Sequence, residues 1–249
     1  MKDILKTNLA LIITALLTGV IVSIVAQLFI ISAKEIFYYL YSNPLGIKFL
    51  EYEINFLPLV ACTTAATLIA LLVKYNNIER WHGPADSIYA ANQKEGALNV
   101  KTGMLSTLVS FFSISGGASV GIYGPLVHFG ATLGVLLRRL AFMPRIPHDI
   151  IIGSGVAAAI SAGFGSPIAG IIFAHEVVLR HFSLKAITSI ALCSITASFT
   201  ASQMNLVSPI FRFEEIKFNF ADALPGLITI GPASALIALV FMYLLLNMP

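Results

Sequence analysis

The sequence predicts an all-α, polytopic membrane protein, and three observations carry that reading. Charged residues are 11% of the 249 positions against 57% hydrophobic ones, where a soluble domain carries about a quarter charged. Residues 7–33, 54–73 and 102–137 are uncharged runs that reach the ~20 residues a helix needs to cross a hydrocarbon core. Beyond the second run the apolar segments shorten and are interrupted by Gly, Pro and Ser at depths that should lie within the membrane. Lipid cannot satisfy the hydrogen bonds of such breaks, so they must be buried in protein or line a watery cavity. Tilted, broken and re-entrant helices are therefore expected, and a transport pathway with them.

The first run is no cleaved leader. Its apolar core is far longer than the ~7–15 residues of a signal peptide, and no small-x-small exit follows. The connections are short, so residues 1–249 read as one membrane domain with no soluble module attached. The loop at 74–101 holds Lys74, Arg80, Lys94 and Lys101, whereas the loop at 34–53 sets Lys34 and Lys48 against Glu35, Glu51 and Glu53. By the positive-inside rule the basic loop is cytoplasmic, as is the N-terminus with Lys2 and Lys6. The remaining segments fall at 102–114, 125–140, 147–162, 167–180, 185–204 and 222–247. Pro125, Pro147 and Pro167 stand at or just before their first turns, where a missing amide hydrogen is tolerated.

Two glycine-rich turns run into helix starts: Gly116 to Pro125 and Gly163 to Pro167. Helix N-termini carry unpaired amides and the positive end of the macrodipole. One aimed at the membrane centre binds an anion without a full positive charge. Small residues also let helices pack closely in membranes. Packing is the preferred reading for Gly163 and Gly165, and the pathway for Gly121, Ile122, Tyr123, Gly124 and Pro125.

Other chemistries find little support. The net charge of +3 is dispersed rather than striped with aromatics, which argues against a nucleic-acid partner. Cys62 and Cys193 fall inside apolar runs, so neither a disulfide nor a metal site is expected. Of the five histidines only His175 adjoins an acid, Glu176, and neighbours at i, i+1 point to different helix faces. An intramembrane enzyme would have to use His128, His175 and Glu176, and no nucleophile motif or HExxH accompanies them.

Gly121-Ile122-Tyr123-Gly124-Pro125 followed by Leu126-Val127-His128-Phe129-Gly130-Ala131 resembles the anion-pathway motif of the CLC family of chloride channels and chloride/proton antiporters, G-R/K-E-G-P and its helix. Ala157-Ala158-Ala159 and then Gly165-Ser166-Pro167-Ile168-Ala169-Gly170-Ile171-Ile172-Phe173-Ala174-His175-Glu176 are similar to the family's small-residue helix and its N/S-x-P-x-A-G-x-x-F segment with glutamate. The Tyr-Gly-Pro-Leu-Val-His-Phe-Gly-Ala stretch is similar to a bacterial branch with tyrosine at this place. Glu95-Gly96-Ala97-Leu98 also matches a family segment, though its residues are common ones.

The resemblance implies an inverted-repeat fold of which this chain covers about the first half. It also implies a homodimer with one pathway per subunit, a lipid bilayer around it, chloride as the transported ion, and no cofactor and no enzymatic step. The expected site is multi-pass in a bacterial inner membrane. The family's G-S-G-I-P loop should fall near His82, Gly83 and Pro84, where the serine is missing; Trp81, His82 and Ser87 can supply polar groups instead, or His82 and Asp86 are simply solvated. The family's gating glutamate is replaced by Tyr123, a phenol that stays neutral near pH 7. Val177 takes the place of the inner proton-relay glutamate, beside Glu176. Glu176 is then either a functional intramembrane carboxylate or paired with Arg180 at i+4. His128, one turn past Tyr123, is expected to matter less.

These departures favour uncoupled anion conduction through a voltage- or otherwise-gated channel, with chloride/proton exchange through Glu176 as the alternative. A non-conducting half-size protein is the third possibility. The second half's G-x-F-x-P loop is not recognisable before Pro249, so truncation at the C-terminus is the preferred explanation. Association is expected to use the small-residue stretch at 153–165 and the helix containing Gly170.

Overall fold

The structure is a computed structural model that describes residues 2–42, 46–49, 52–78, 80–93, 98–140, 146–204 and 220–247. It divides into two units, Met1–Pro209 and Ile210–Pro249. Among the described residues the architecture is helical apart from one short hairpin.

Helix α1 (Lys2–Ser42) runs past the end of its uncharged segment through Lys34 and Glu35. Its buried positions Ala15, Thr18, Val22, Ala26, Phe29 and Ala33 recur every three or four residues, the stripe of a helix packed along one side. Strands β1 (Gly46–Phe49) and β2 (Tyr52–Asn55) pair antiparallel with Lys48 opposite Glu53. The hairpin stands where the sequence predicts a plain loop. Helix α2 (Leu57–Asn76) follows and stops at Asn77 in the left-handed conformation, φ 48°.

The basic loop is not structureless, because it contains the short helix α3 (Pro84–Ala91). Residues 94–97, which hold most of the Glu95-Gly96-Ala97-Leu98 match, lie outside the described residues. Helix α4 (Val100–Ser115) opens with the Asn99 carboxamide accepting the amides of Lys101 and Thr102 at 3.0 and 3.3 Å, a side-chain cap for otherwise orphaned donors. Helix α5 (Tyr123–Leu140) starts two residues ahead of the expected Pro125. Helix α6 (His148–Phe164) has Pro147 as its cap, and Gly165 closes it at φ 65°. Gly165 is thus a helix stop needing a left-handed backbone rather than a packing glycine.

Helix α7 (Pro167–Phe173) widens into a π-helical segment (Ala174–Leu179) that ends at Arg180 with φ 60°. Helix α8 (Leu184–Gln203) is capped by the Ser183 hydroxyl, which accepts the Ala186 amide at 3.3 Å. In the second unit, α9 (Phe220–Leu246) runs unbroken with Pro225 and Pro232 inside it. Among the described residues four helices are long and apolar enough to cross a membrane, within α1, α2, α8 and α9.

Helix α6 is the centre of the first unit, and it is buried at every position from Ile150 to Ala162. A helix apolar all round has no lipid-facing side to present. Its small residues are consumed inside the chain. A Cβ on Gly130 of α5 would meet Gly155 O at 2.4 Å, and one on Gly155 would meet Gly130 O at 2.1 Å, so the two backbones touch. A Cβ on Gly153 would strike Leu179, and one on Gly170 would strike Ala157 O. The small-residue stretch expected to mediate association between subunits therefore does something else, because glycine lets α5, α6 and α7 approach within one subunit. Side-chain donors tie the layers further. Ser23 donates to Ala197 O at 2.8 Å, Ser194 to Pro167 O at 2.8 Å, and Gln27 to Ala162 O.

Candidate anion site

The turn between α4 and α5 has a packed beginning and an open end. Gly116 O accepts the Tyr41 hydroxyl and the Cys62 thiol, each at 3.2 Å, which joins the turn to α1 and α2. Gly117 has φ 104°, and a Cβ there would coincide with the Tyr41 hydroxyl. This part of the turn is a packing device. Gly121 differs, since it too has a left-handed φ, 76°, but a Cβ would meet nothing within 4 Å. The demand there is conformational alone, and it swings the chain into α5.

The first amide paired within α5 is that of Leu126, to Ile122 O at 3.2 Å. The amides of Tyr123 and Gly124 precede it and have no partner inside the helix, while Pro125 has no amide to leave unpaired. The sequence thus builds an N-terminus with its dipole uncapped by any side-chain carboxylate of its own first turn. Gly124 faces α3, its Cβ position lying 3.7 Å from Pro84 Cγ. The two helix starts singled out from sequence, Gly83-Pro84 and Tyr123-Gly124-Pro125, are brought side by side.

They are not equivalent. The Asp86 carboxylate accepts the Gly83 amide at 2.8 Å and pairs with Arg80, while Asp86 N donates to Gly83 O at 3.0 Å. The α3 terminus carries its own anion, so only that of α5 is left to attract another. Asp86 is a cap, not a merely solvated residue. Ser87, considered as a replacement polar group, is fully buried and occupied by His128, its Oγ 2.7 Å from Nδ1.

Tyr123 is turned to the other side. Its ring stacks on Phe164 with centroids 3.9 Å apart and 25° between planes, and a Cβ on Gly163 would lie 3.3 Å from Tyr123 Cε1. Gly163 is therefore a packing glycine as expected, and it leaves room for the gate-position ring. Phe164 was not singled out in the sequence, and nothing in its spacing to Tyr123 marks the contact.

His128, expected from the sequence to matter less, is almost wholly enclosed at 1% exposure. Its ring meets that of His82 edge-on at 5.9 Å, and the His82 amide donates to Ser106 Oγ at 2.9 Å. The four-residue spacing from Gly124 to His128 was a legible signal that both face α3.

Glu176 and Val177 sit on the π-helical segment, both exposed on this chain, while neighbouring His175 is fully buried. The Glu176–Arg180 ion pair, one of the two alternatives for this carboxylate, does not form. A π turn takes more than four residues, and Arg180 leaves the helix with a left-handed backbone, so i and i+4 no longer align. The segment is anchored instead by His175 Nδ1 on His181 O at 3.0 Å and His181 Nε2 on Asp149 Oδ2 at 3.0 Å. His128 and His175 thus have separate partners. Among the described residues no cluster of three metal-ligating side chains exists.

Comparison with known proteins agrees with this architecture. A family profile described as voltage gated chloride channel matches residues 65–249, well over half of the chain. A ClcB-like chloride channel protein of Ralstonia nicotianae is 27% identical over 152 residues, covering 58% of this chain and 35% of that protein. The H(+)/Cl(-) exchange transporter 5 of Homo sapiens is 30% identical over 113 residues, 44% of this chain and 14% of that protein. The crystal structure of a slow cyanobacterial Cl-/H+ antiporter superposes with a TM-score of 0.69 at 18% identity, over 89% of this chain and 53% of that one. The chain spans about half the length of that structure, and less of the curated relatives.

Proposed function

The chain belongs to the voltage-gated chloride channel family, and from that premise we propose that it forms the first half of an anion pathway whose binding element is the N-terminus of α5. Its membrane character and anion-transport class follow from the family and from its apolar helices. The observation that carries the site is the contrast between two adjacent helix starts. The amide of Gly83 is already held by Asp86, whereas the amides of Tyr123 and Gly124 precede the first bond of α5. Fixed dipoles of this kind hold a monovalent anion loosely enough to let it leave. Chloride is the first choice of substrate, with bromide and nitrate close behind.

Uncoupled conduction is the preferred mode. Tyr123 at the gate position and Val177 at the inner position are not proton carriers near pH 7. The names of the human exchange transporter and the cyanobacterial antiporter favour a second reading, chloride/proton exchange, for which Glu176 is the available carboxylate. We infer also a homodimer in a bacterial inner membrane with a cytoplasmic N-terminus. The deciding experiment records anion flux and internal pH together in liposomes holding the full-length protein. Chloride efflux without a stoichiometric pH change supports the channel; a steady pH change abolished by Glu176→Gln establishes exchange.

A further inference from the structure

We propose that the groove between α1 and α8 seats an anionic phospholipid, with its headgroup against Lys185 and an acyl chain lying along the two helices. Both helices are long and apolar enough to cross a membrane, and they run parallel. A Cβ on Gly19 would meet Cys193 O at 2.6 Å, and Ser23 donates to Ala197 O at 2.8 Å, so the contacts advance together along both helices at one offset. The same offset sets Leu11 beside Lys185, and both line the groove. The start of α8 therefore lies on the same side of the membrane as the start of α1. The backbones close at Gly19 and leave a cavity of about 490 Å³ ahead of it. That size falls within the about 300–1,000 Å³ of sites that hold small ligands.

The walls suit a lipid better than a water-soluble ligand. Leu11 and Ile12 of α1 and Leu184 and Leu192 of α8 make them apolar, and Ile12 and Leu184 are exposed, so the groove opens sideways. Ser189 also lines it but is buried, its Oγ 3.3 Å from Ser154 Oγ. Lys185 and Thr188 are the exposed polar lining residues, and the Thr188 hydroxyl already donates to Leu184 O at 2.9 Å. From Lys185 to Leu192 is about 10 Å along a helix, most of the ~15 Å of hydrocarbon in one leaflet. A cation at one end and a leaflet's depth of apolar wall match a headgroup and its chain. A soluble anion would leave that apolar length unused.

Charge selects the headgroup. Helix α8 carries no acidic residue, and α1 has none from Ile4 to Ala33. Asp149, which reaches the turn ahead of α8, is taken by His181 at 3.0 Å. Among the described residues Lys185 has no ion-pair partner. Arg180 is exposed just ahead of α8, and Lys2 and Lys6 stand at the start of α1 with Asp3 between them. Glu176, exposed on the π-helical segment, is the remaining acid nearby in the chain. This end of the groove is thus basic on balance, on the side inferred above to be cytoplasmic, where anionic lipids attract Lys and Arg. A lysine stem lies along apolar surface while its ammonium stays at headgroup level. A zwitterionic lipid would bring a cation of its own to that ammonium, which favours the anionic one.

Native mass spectrometry of the full-length protein in mild detergent, offered phosphatidylglycerol or phosphatidylcholine, tests this. The readout is retained lipid and not chloride, so the result is independent of the α5 site. The parent should retain phosphatidylglycerol in about fivefold or greater preference, the effect of one cation at an anionic surface. Lys185→Gln should bring that preference to about twofold or less while leaving phosphatidylcholine retention unchanged. Ile12→Trp, which fills the groove from its open side, should reduce retention of both lipids. If Ile12→Trp fails to fold, Lys185→Gln, at an exposed position, carries the test. A preference that survives Lys185→Gln, or retention that a folded Ile12→Trp leaves unaltered, overturns the proposal. So does a parent that retains no lipid, because the groove is then covered by the rest of the protein or by a second copy. Displacement of phosphatidylglycerol by inorganic phosphate alone also overturns it, since the apolar walls would then contribute nothing.

Discussion

The hydroxyl oxygen of Ser87 lies 2.7 Å from Nδ1 of His128, joining a short helix of the basic loop to the helix that heads the proposed pathway. Both residues are almost wholly buried. Removing the hydroxyl leaves a buried imidazole nitrogen without its partner, a change worth about 1–3 kcal/mol. Ser87→Ala should therefore lower the unfolding temperature in detergent, and Ser87→Thr should lower it less. An unaltered melting profile for Ser87→Ala would mean that the contact contributes nothing.

The stack of Tyr123 on Phe164 predicts a pair of effects on conduction. Tyr123→Phe keeps the stack and removes one donor, altering apparent anion affinity by about 1 kcal/mol at most. Tyr123→Ala removes the bulk at the gate position and should raise flux. Phe164→Ala releases the ring from its support and should shift flux in the same direction as Tyr123→Ala, by a smaller amount. Liposome flux assays of the three variants check this, and identical flux in Tyr123→Ala and the parent would exclude a gating role.

Contact between the α5 and α6 backbones at Gly130 and Gly155 leaves no space for a methyl group. Gly155→Ala should destabilise the protein by about 1–3 kcal/mol through overpacking. Gly121→Ala meets no neighbour, and its effect is limited to the about 1–2 kcal/mol of a left-handed backbone. Thermal unfolding of the two variants should rank them in that order, and Gly121→Ala should slow flux more than its stability loss explains.

Exchange and conduction separate at Glu176. With Val177 beside it and no ion pair to Arg180, Glu176→Gln should leave both chloride flux and internal pH traces unchanged. A variant that abolishes a proton signal present in the parent would identify the exchanger instead.

The first two long spans and the Gly and Pro breaks beyond them were legible in the sequence, because each depends on local composition, whereas the uncharged run at 102–137 divides into α4 and α5 and the other two long apolar helices are α8 and α9. Uncharged length sets a span, Gly and Pro set a break, and α5 starts only two residues ahead of the expected Pro125. The helix α3 and the hairpin were not legible. Both are short elements in a polar setting, where periodicity is weak and pairing with the rest of the chain decides.

What the sequence alone determined, then, is the solvent this protein lives in and the segments that cross or break within it, since these follow from residue-by-residue transfer energies and backbone preferences. Only the tertiary structure decided what those segments do for one another. It assigned the small residues of α6 to contacts inside the subunit, set the starts of α3 and α5 side by side, and turned Tyr123 onto Phe164. It also carried His128 from a neglected turn to a buried contact with Ser87. The physical reason is the same in each case: a hydrogen bond or a close approach between residues 41 positions apart, as for Ser87 and His128, is fixed by how helices pack and leaves no periodic trace along the chain.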